Sequence, residues 1–179
     1  MKKSLLCSLL LFSMIAGQMM AQSQLCRPEL TWGAYACISK VEINGMVSES
    51  STTPEGWNGE IGSNTYDETV MYADYTLDKD RVVKLEPGKE YELKITVCNL
   101  SSGAGDEYYV TAFFDWNGDS QLTASETAFQ KSIMVGKPGQ TSFKVVTGKI
   151  TVPTDAAKTV TMRAYLHYKT PDVPYTDAC

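Results

Sequence analysis

The amino-acid sequence predicts an all-β protein, an antiparallel β-sandwich of about seven or eight strands with little or no helix after the N-terminal segment. Three observations support this fold class. Apolar and polar residues alternate in several short segments, most clearly over residues 91–97, as in a strand with one buried face. Turn-forming pairs such as Asn44-Gly45 and Pro87-Gly88 separate these segments. No segment of residues 22–179 sustains the apolar period expected of a helix.

The predicted strands follow from where the alternation begins and ends. They cover residues 36–43, 69–75, 82–85, 91–97, 108–114, 144–152 and 159–168. Residues 48–65 are rich in Ser, Thr, Gly, Asn and Pro and are predicted to form a long loop, while one short helical turn is expected after Thr123. The long loop contains Trp57, which either stacks on a ligand or covers the edge of the core.

The N-terminus is predicted to be a secretory signal peptide, residues 1–21, followed by a single domain over residues 22–179. Lys2 and Lys3 precede an apolar run that is too short for a membrane-spanning helix, and small and polar residues follow it. No later segment approaches the length of a transmembrane helix. We therefore expect a secreted or cell-surface protein with no transmembrane segment in its mature form.

The charge balance argues against nucleic acid as a partner. The chain has 16 Lys and Arg residues against 21 Asp and Glu residues, a formal net charge of −5. The basic residues are scattered singly, whereas a nucleic-acid-binding protein needs a basic stripe to neutralise phosphates. The acidic balance favours solubility, and it favours cation binding wherever carboxylates converge.

Four cysteines remain once the signal peptide is removed: Cys26, Cys37, Cys98 and Cys179. In an oxidising compartment these residues predict two disulfides, and the sequence leaves three pairings open. Zinc is disfavoured because no Cys-x-x-Cys pair is present and His167 is the only histidine.

Residues 115–126, which we call the acidic loop, place oxygen-bearing side chains at the ligand spacing of an EF-hand calcium loop. Ca²⁺ takes six to eight hard oxygen ligands, and short side chains on alternate residues of a tight turn can converge on one ion. The sequence therefore predicts Ca²⁺ as a cofactor. The predicted ligands are Asp115, Asn117, Asp119, the backbone carbonyl of Gln121, Thr123 directly or through water, and Glu126.

Two features distinguish the acidic loop from a standard EF-hand. Ser120 stands at position six, usually glycine, where a positive φ strains any other residue. A predicted strand rather than a helix precedes the loop, which favours a fixed structural ion over a calcium sensor. The alternative is a plain hairpin connection in which Asp115 and Asn117 cap backbone amides. Glu126 at position twelve favours calcium, because a turn does not require it.

The sequence offers no clear catalytic constellation. His167 lies in a predicted strand, no Gly-x-Ser-x-Gly nucleophile elbow is present, and the mature cysteines are assigned to disulfides. The His-Glu-x-x-His motif of metalloproteases and a glycine-rich phosphate loop are also missing. A carboxylate pair for glycoside hydrolysis stays open, because the separation of two acids in space is not readable from sequence.

Several of these segments, in this order, resemble the GEVED domain family of secreted bacterial proteins. The most specific is the Asp-Trp-Asn element at residues 115–117, followed by Gly118, Asp119 and the trailing acid Glu126. The resemblance extends from Cys26 to Cys179. Its other elements are residues 38–41, 72–76, 85–91, 150–153 and 161–163.

The resemblance implies a β-sandwich accessory module of exported proteases, adhesins and other surface proteins, with a binding or spacer role. It also implies the disulfide pairs Cys26–Cys179 and Cys37–Cys98, since the family pattern has a cysteine near each end. The Gly-Glu-Val-Glu-Asp-Tyr motif of the family is expected shortly after the position of Cys179. The domain in this sequence is therefore expected to lack its last strand.

The function expected from these observations is a non-catalytic extracellular module, stabilised by Ca²⁺, for adhesion or substrate binding. Its partner would be an extracellular glycan or protein contacted by Trp57. The alternative is an accessory fragment of a larger secreted hydrolase such as a protease, with a neighbouring domain as partner. A third possibility, a small carbohydrate-active enzyme, requires a cleft with two acids about 5–9.5 Å apart.

Overall fold

A computed structural model describes residues 25–26, 36–49, 65–67, 72–99, 106–136 and 142–168. Within these residues the protein is all-β, which confirms the predicted fold class. The only helical elements there are two 3₁₀ turns, Lys79–Arg81 and Ala124–Glu126, and the second is the short turn expected after Thr123. The strands are β1 (Ala36–Ile43), β2 (Met46–Glu49), β3 (Thr65–Asp67), β4 (Tyr72–Asp74), β5 (Glu90–Asn99), β6 (Asp106–Phe114), β7 (Thr127–Val135), β8 (Ser142–Thr151) and β9 (Met162–Tyr168).

Seven of these strands form two antiparallel sheets that pack face to face. The four-stranded sheet has the order β2-β1-β5-β8, and the three-stranded sheet has the order β7-β6-β9. β3 and β4 pair with each other. Alternate residues of β5 and β6 point into one shared hydrophobic core, in which Leu93, Ile95 and Val110 are fully buried. The period-two alternation of residues 91–97 thus identifies the buried face correctly.

The β1–β2 hairpin has the turn that its sequence predicts. Asn44 and Gly45 have φ angles of 45° and 84°. Two successive positive φ angles are typical of a two-residue type I′ turn, for which Asn-Gly is the preferred pair. The Asn44 side-chain amide also donates a hydrogen bond of 2.9 Å to the carbonyl oxygen of Lys84, which fixes the hairpin to the following segment.

The sequence does not predict β7, because Lys131 interrupts its alternation. Lys131 pairs with Val110, whose side chain faces the core. Since β7 is an edge strand, the Lys131 ammonium can reach out of the sandwich, and it donates to the carbonyl oxygen of Thr147 in β8 at 2.6 Å. A lysine on an edge strand also discourages pairing with other chains.

The predicted strand over residues 82–85 is wrong. These residues alternate in burial, with Val82 70% exposed and Val83 and Leu85 packed against the core. They pair with no strand among the described residues. One-sided burial therefore gives the alternation of a strand here without a hydrogen-bonded ladder.

No helix of the described residues is long and apolar enough to cross a membrane. The predicted signal peptide, Trp57 and Cys179 lie outside the described residues, as does most of the long loop predicted over residues 48–65. The single domain predicted over residues 22–179 stays a prediction.

Candidate metal centre

The acidic loop joins β6 to β7 and is attached to the segment that leads into β9. The backbone N–H of Asp115 donates to the carbonyl oxygen of Thr161 at 3.0 Å, and the carbonyl of Trp116 accepts from Ala157 at 2.6 Å. The Trp116 ring stacks on Phe114, with centroids 4.5 Å apart and planes 5° from parallel. The beginning of the loop is therefore positioned by both of its neighbouring strands.

The loop brings three carboxylates together. Asp115, Asp119 and Glu126 each offer one oxygen, and these oxygens lie within 4.8 Å of one another. Asp115 and Glu126 are buried, with 5% and 3% of their surface exposed, whereas Asp119 is exposed. Positions one, five and twelve of the predicted ligand set therefore converge.

Each buried carboxylate uses one oxygen within the loop and leaves the other without a partner. Asp115 Oδ2 accepts from the Ser120 N–H at 3.1 Å, and Glu126 Oε2 accepts from the Thr123 N–H at 3.2 Å. Asp115 Oδ1 and Glu126 Oε1 are buried without a hydrogen-bond partner. Within the described part of the chain no ion pair reaches either carboxylate. Two unpaired buried oxygens on acidic groups are costly, and a cation would offset that cost.

The other predicted ligands, Asn117, Gln121 and Thr123, are exposed and make contacts typical of a turn. Asn117 Oδ1 accepts from the Asp119 N–H at 2.8 Å, and Asp119 Oδ1 accepts from the Gln121 N–H at 2.8 Å. Thr123 Oγ1 is 2.9 Å from Ser125 Oγ. The capped-turn contacts and the converging carboxylates thus occur in the same loop. Ion ligation by Asn117, Gln121 and Thr123 stays a prediction.

Ser120 has the left-handed backbone conformation that the EF-hand pattern requires at position six. Its φ is 67°, and its side chain is buried. Gly118, two residues earlier, has a φ of 75°. These two left-handed residues turn the chain sharply enough to bring Asp119 and Glu126 back towards Asp115.

A contact between the acidic loop and residues 25–26 was not predictable from the sequence. The backbone N–H of Cys26 donates to the carbonyl oxygen of Ser120 at 3.2 Å, and the Arg163 guanidinium donates to the carbonyl oxygen of Cys26. A second, smaller hydrophobic cluster lies beneath this contact. It consists of Phe113, Leu122 and Tyr165, with Leu25 and Cys26 packed against them.

The structure brings together one of the two predicted cysteine pairs. Cys37 and Cys98 face each other as register partners in β1 and β5. Both are buried, and the structure records them as reduced cysteines. The predicted disulfide between them stays a prediction. Burial, together with the neighbouring Cys98, raises the pKa of the Cys37 thiol to about 12. Burial also raises the pKa of Cys98.

Cys26 is disulfide-bonded, and its partner lies outside the described residues. Its predicted pairing with Cys179 therefore stays a prediction.

His167 lies in an aromatic environment on β9. Its ring centroid is 5.2 Å from that of Tyr109 and 6.3 Å from that of Tyr165. Tyr109 and His167 are register partners across β6 and β9. The only histidine of the chain therefore contacts two tyrosine rings.

Comparison with protein families gives one match: the family model of the GEVED domain matches residues 109–179. The match begins within β6 and includes the acidic loop and the strands β7 to β9. The family resemblance predicted from the sequence is confirmed over these residues. GEVED is a domain family of secreted proteins. No curated protein and no solved structure matches the chain.

Proposed function

With residues 109–179 matched to the GEVED domain, we propose that the protein is a non-catalytic extracellular module. It holds a structural Ca²⁺ ion in its acidic loop and acts in adhesion or substrate binding. The family suggests an accessory extracellular domain. The observation that carries the calcium site is the pair of buried, unpartnered oxygens, Asp115 Oδ1 and Glu126 Oε1.

The spacing of the carboxylates supports Ca²⁺ as the ion. Calcium–oxygen distances of about 2.3–2.6 Å place ligands on opposite sides of the ion about 4.6–5.2 Å apart. The three carboxylate oxygens, all within 4.8 Å of one another, fit inside that span. Mg²⁺ binds at about 2.0–2.1 Å in a strict octahedron, so two ligands on opposite sides of it would lie only about 4.2 Å apart.

The attachments of the loop favour a structural role for the ion. Asp115 is hydrogen-bonded through its N–H to Thr161, and Glu126 ends the 3₁₀ turn that leads directly into β7. An ion bound by both carboxylates would tie the end of β6 to the start of β7. Calcium sensors instead use the ion to open a pair of helices, and this loop lies between strands.

The chemistry of the described side chains supports a non-catalytic module. A carboxylate pair for glycoside hydrolysis must reach a sugar, but Asp115 and Glu126 are 5% and 3% exposed. The raised pKa of the Cys37 thiol leaves little of the nucleophilic thiolate at neutral pH. His167 packs between tyrosine rings rather than beside a nucleophile.

The calcium site is tested by calorimetry and thermal unfolding of the full exported chain, stripped of metal and titrated with Ca²⁺ or Mg²⁺. At a Ca²⁺ concentration of 100 times Kd we expect stabilisation of about 2.7 kcal/mol. Asp119→Asn should weaken binding, whereas Asp155→Asn, an exposed control outside the loop, should bind like wild type. Wild-type protein that shows neither binding heat nor a Ca²⁺-dependent rise in Tm would rule out the site.

The binding role is tested separately. An extracellular glycan or protein is the proposed partner, and Trp57 is the proposed contact because its segment is predicted to be a polar loop, in which an indole can stack on sugars or peptides. Glycan and protein arrays probed with wild-type chain should give signals that Trp57→Ala removes while its Tm stays unchanged. Signals retained by Trp57→Ala would exclude Trp57 as the contact, and arrays without signals would argue for a spacer role.

A further inference from the structure

We infer that Ca²⁺ bound in the acidic loop protects the Cys26 disulfide from reduction, and that the intact disulfide in turn strengthens Ca²⁺ binding. This linkage rests on the proposed function, because it requires the ion site. The acidic loop and residues 25–26 are in contact with each other. Ca²⁺ binding and disulfide reduction therefore act on the same contacts.

Ser120 connects the two sites directly. Its N–H donates to Asp115 Oδ2 at 3.1 Å, and its carbonyl oxygen accepts from the Cys26 N–H at 3.2 Å. One peptide segment therefore contacts a proposed ion ligand on one side and the disulfide-bonded residue on the other. A shift of the Asp115 carboxylate relative to Ser120 would also shift the acceptor of the Cys26 hydrogen bond.

Side-chain packing connects the same two sites by a second route. Leu122 belongs to the acidic loop, is fully buried, and shares a cluster with Leu25 and Cys26. Cys26 itself is only partly buried. Release of Leu122 would therefore remove part of the surface on which Cys26 rests.

Arg163 holds the docked segment from the β9 side. Its guanidinium donates to the carbonyl oxygen of Cys26 and lies 3.8 Å from Cys26 Sγ, and the side chain is 5% exposed. Docking of Cys26 thus depends on a loop contact, a hydrophobic contact and a contact to β9. The ion acts on the loop contact and the hydrophobic contact, whereas Arg163 supplies the contact to β9 independently of the ion.

The linkage follows from differential binding. Three converging carboxylates repel one another, so an ion that neutralises them favours the closed loop and the docked Cys26 segment. Reduction requires a thiolate to attack one sulfur of the disulfide, forming a mixed disulfide and releasing the other sulfur as a thiolate. With dithiothreitol, its second thiol then attacks the mixed disulfide, releasing the remaining protein thiolate and giving cyclic oxidised reagent. Docking restricts the approach of the attacking thiolate.

The experiment uses the full exported chain, with Ca²⁺ binding first measured by calorimetry. Reduction of the Cys26 disulfide by dithiothreitol is followed in saturating Ca²⁺ and in chelator by alkylation and peptide mapping. Cleavage after glutamate at Glu29 separates Cys26 from Cys37. We expect reduction to be between about five-fold and 150-fold slower in Ca²⁺. The Kd for Ca²⁺ should also rise in Cys26→Ser, because the coupling free energy between two sites is reciprocal.

An internal control separates this local linkage from general stabilisation. Cys37 and Cys98 are buried in the four-stranded sheet, so their alkylation reports global unfolding. The linkage predicts that Ca²⁺ protects Cys26 by a larger factor than it protects these two residues. Arg163→Lys, which loses the guanidinium fork, should speed reduction in both conditions while keeping calorimetric Ca²⁺ binding.

Two outcomes would overturn the linkage, and they are distinguishable. Ca²⁺ binding by calorimetry with no slowing of reduction, or with equal protection of Cys26 and Cys98, rejects the linkage and leaves the calcium site standing. The absence of Ca²⁺ binding rejects the proposed calcium site and the linkage with it.

Discussion

The ring of Phe129 lies directly against the backbone of Gly148: a Cβ atom at position 148 would be 2.1 Å from Cε2 of that ring. Phe129 belongs to β7 and Gly148 to β8, the edge strands on one side of the sandwich. Gly148 therefore provides the space in which an aromatic side chain of one sheet fills the core beside the other.

Gly148→Ala should destabilise the protein by about 1–3 kcal/mol, because overpacking forces the ring or the strand to move. Urea unfolding measures the effect. Thr147→Ala, at the exposed neighbouring position, should change stability by no more than about 0.5 kcal/mol. Replacement of Phe129 by Leu in the Gly148→Ala background should recover part of the loss, and an unfolding midpoint for Gly148→Ala equal to that of wild type would contradict the close contact.

Glu126→Gln should have opposite effects on stability with and without Ca²⁺. In chelator it should raise stability by about 1–3 kcal/mol, since it removes the charge from a buried carboxyl group whose Oε1 has no hydrogen-bond partner. In Ca²⁺, Glu126→Gln should abolish the increase in stability that the ion gives to the wild-type protein. Thermal unfolding under both conditions measures this, with exposed Glu86→Gln as the control. If Glu126→Gln were destabilised in chelator, the idea that this carboxylate is held there at a cost would be wrong.

The thiol of Cys37 should make stability fall at high pH. Its pKa is 9.0 in the reference state and about 12 in the fold because of burial. The stabilisation from the neutral thiol is fully present below pH 9 and is lost as pH rises towards 12. One such proton corresponds to a slope of about 1.4 kcal/mol per pH unit. Urea unfolding in reductant at a series of pH values should show that stability falls less steeply with pH in Cys37→Ala than in wild type. An equal fall in the two proteins would contradict the raised pKa of Cys37.

The parts of this molecule that sequence predicts are those encoded locally. Leu93 and Ile95 alternate with polar residues within one strand, and Asp115, Asp119 and Glu126 lie within twelve residues, so both the strand and the converging acids follow from spacing. β7 is not predicted because Lys131 interrupts the apolar alternation. Only an edge strand lets its charged group leave the core side of the sheet, and strand order is a property of the whole sheet.

The contact between Cys26 and Ser120 depends on tertiary structure in the same way. It joins residues far apart in the chain and depends on the cluster of Phe113, Leu122 and Tyr165 beneath it. The sequence signals that Cys26 is constrained, through its predicted disulfide, but it gives no information about the surface on which Cys26 rests.

Ser120→Gly should stabilise the protein by about 1 kcal/mol. A φ of 67° costs an L-residue about 1–2 kcal/mol, and removal of this strain is partly offset because glycine loses more conformational freedom on folding. The contacts to Asp115 and Cys26 use the backbone of Ser120 and are retained in the variant. Thermal unfolding in saturating Ca²⁺ measures the gain. Ala124→Gly, in the 3₁₀ turn of the same loop, should instead lower stability. Equal losses in the two variants would show that the Ser120 side chain contributes more than its backbone strain costs.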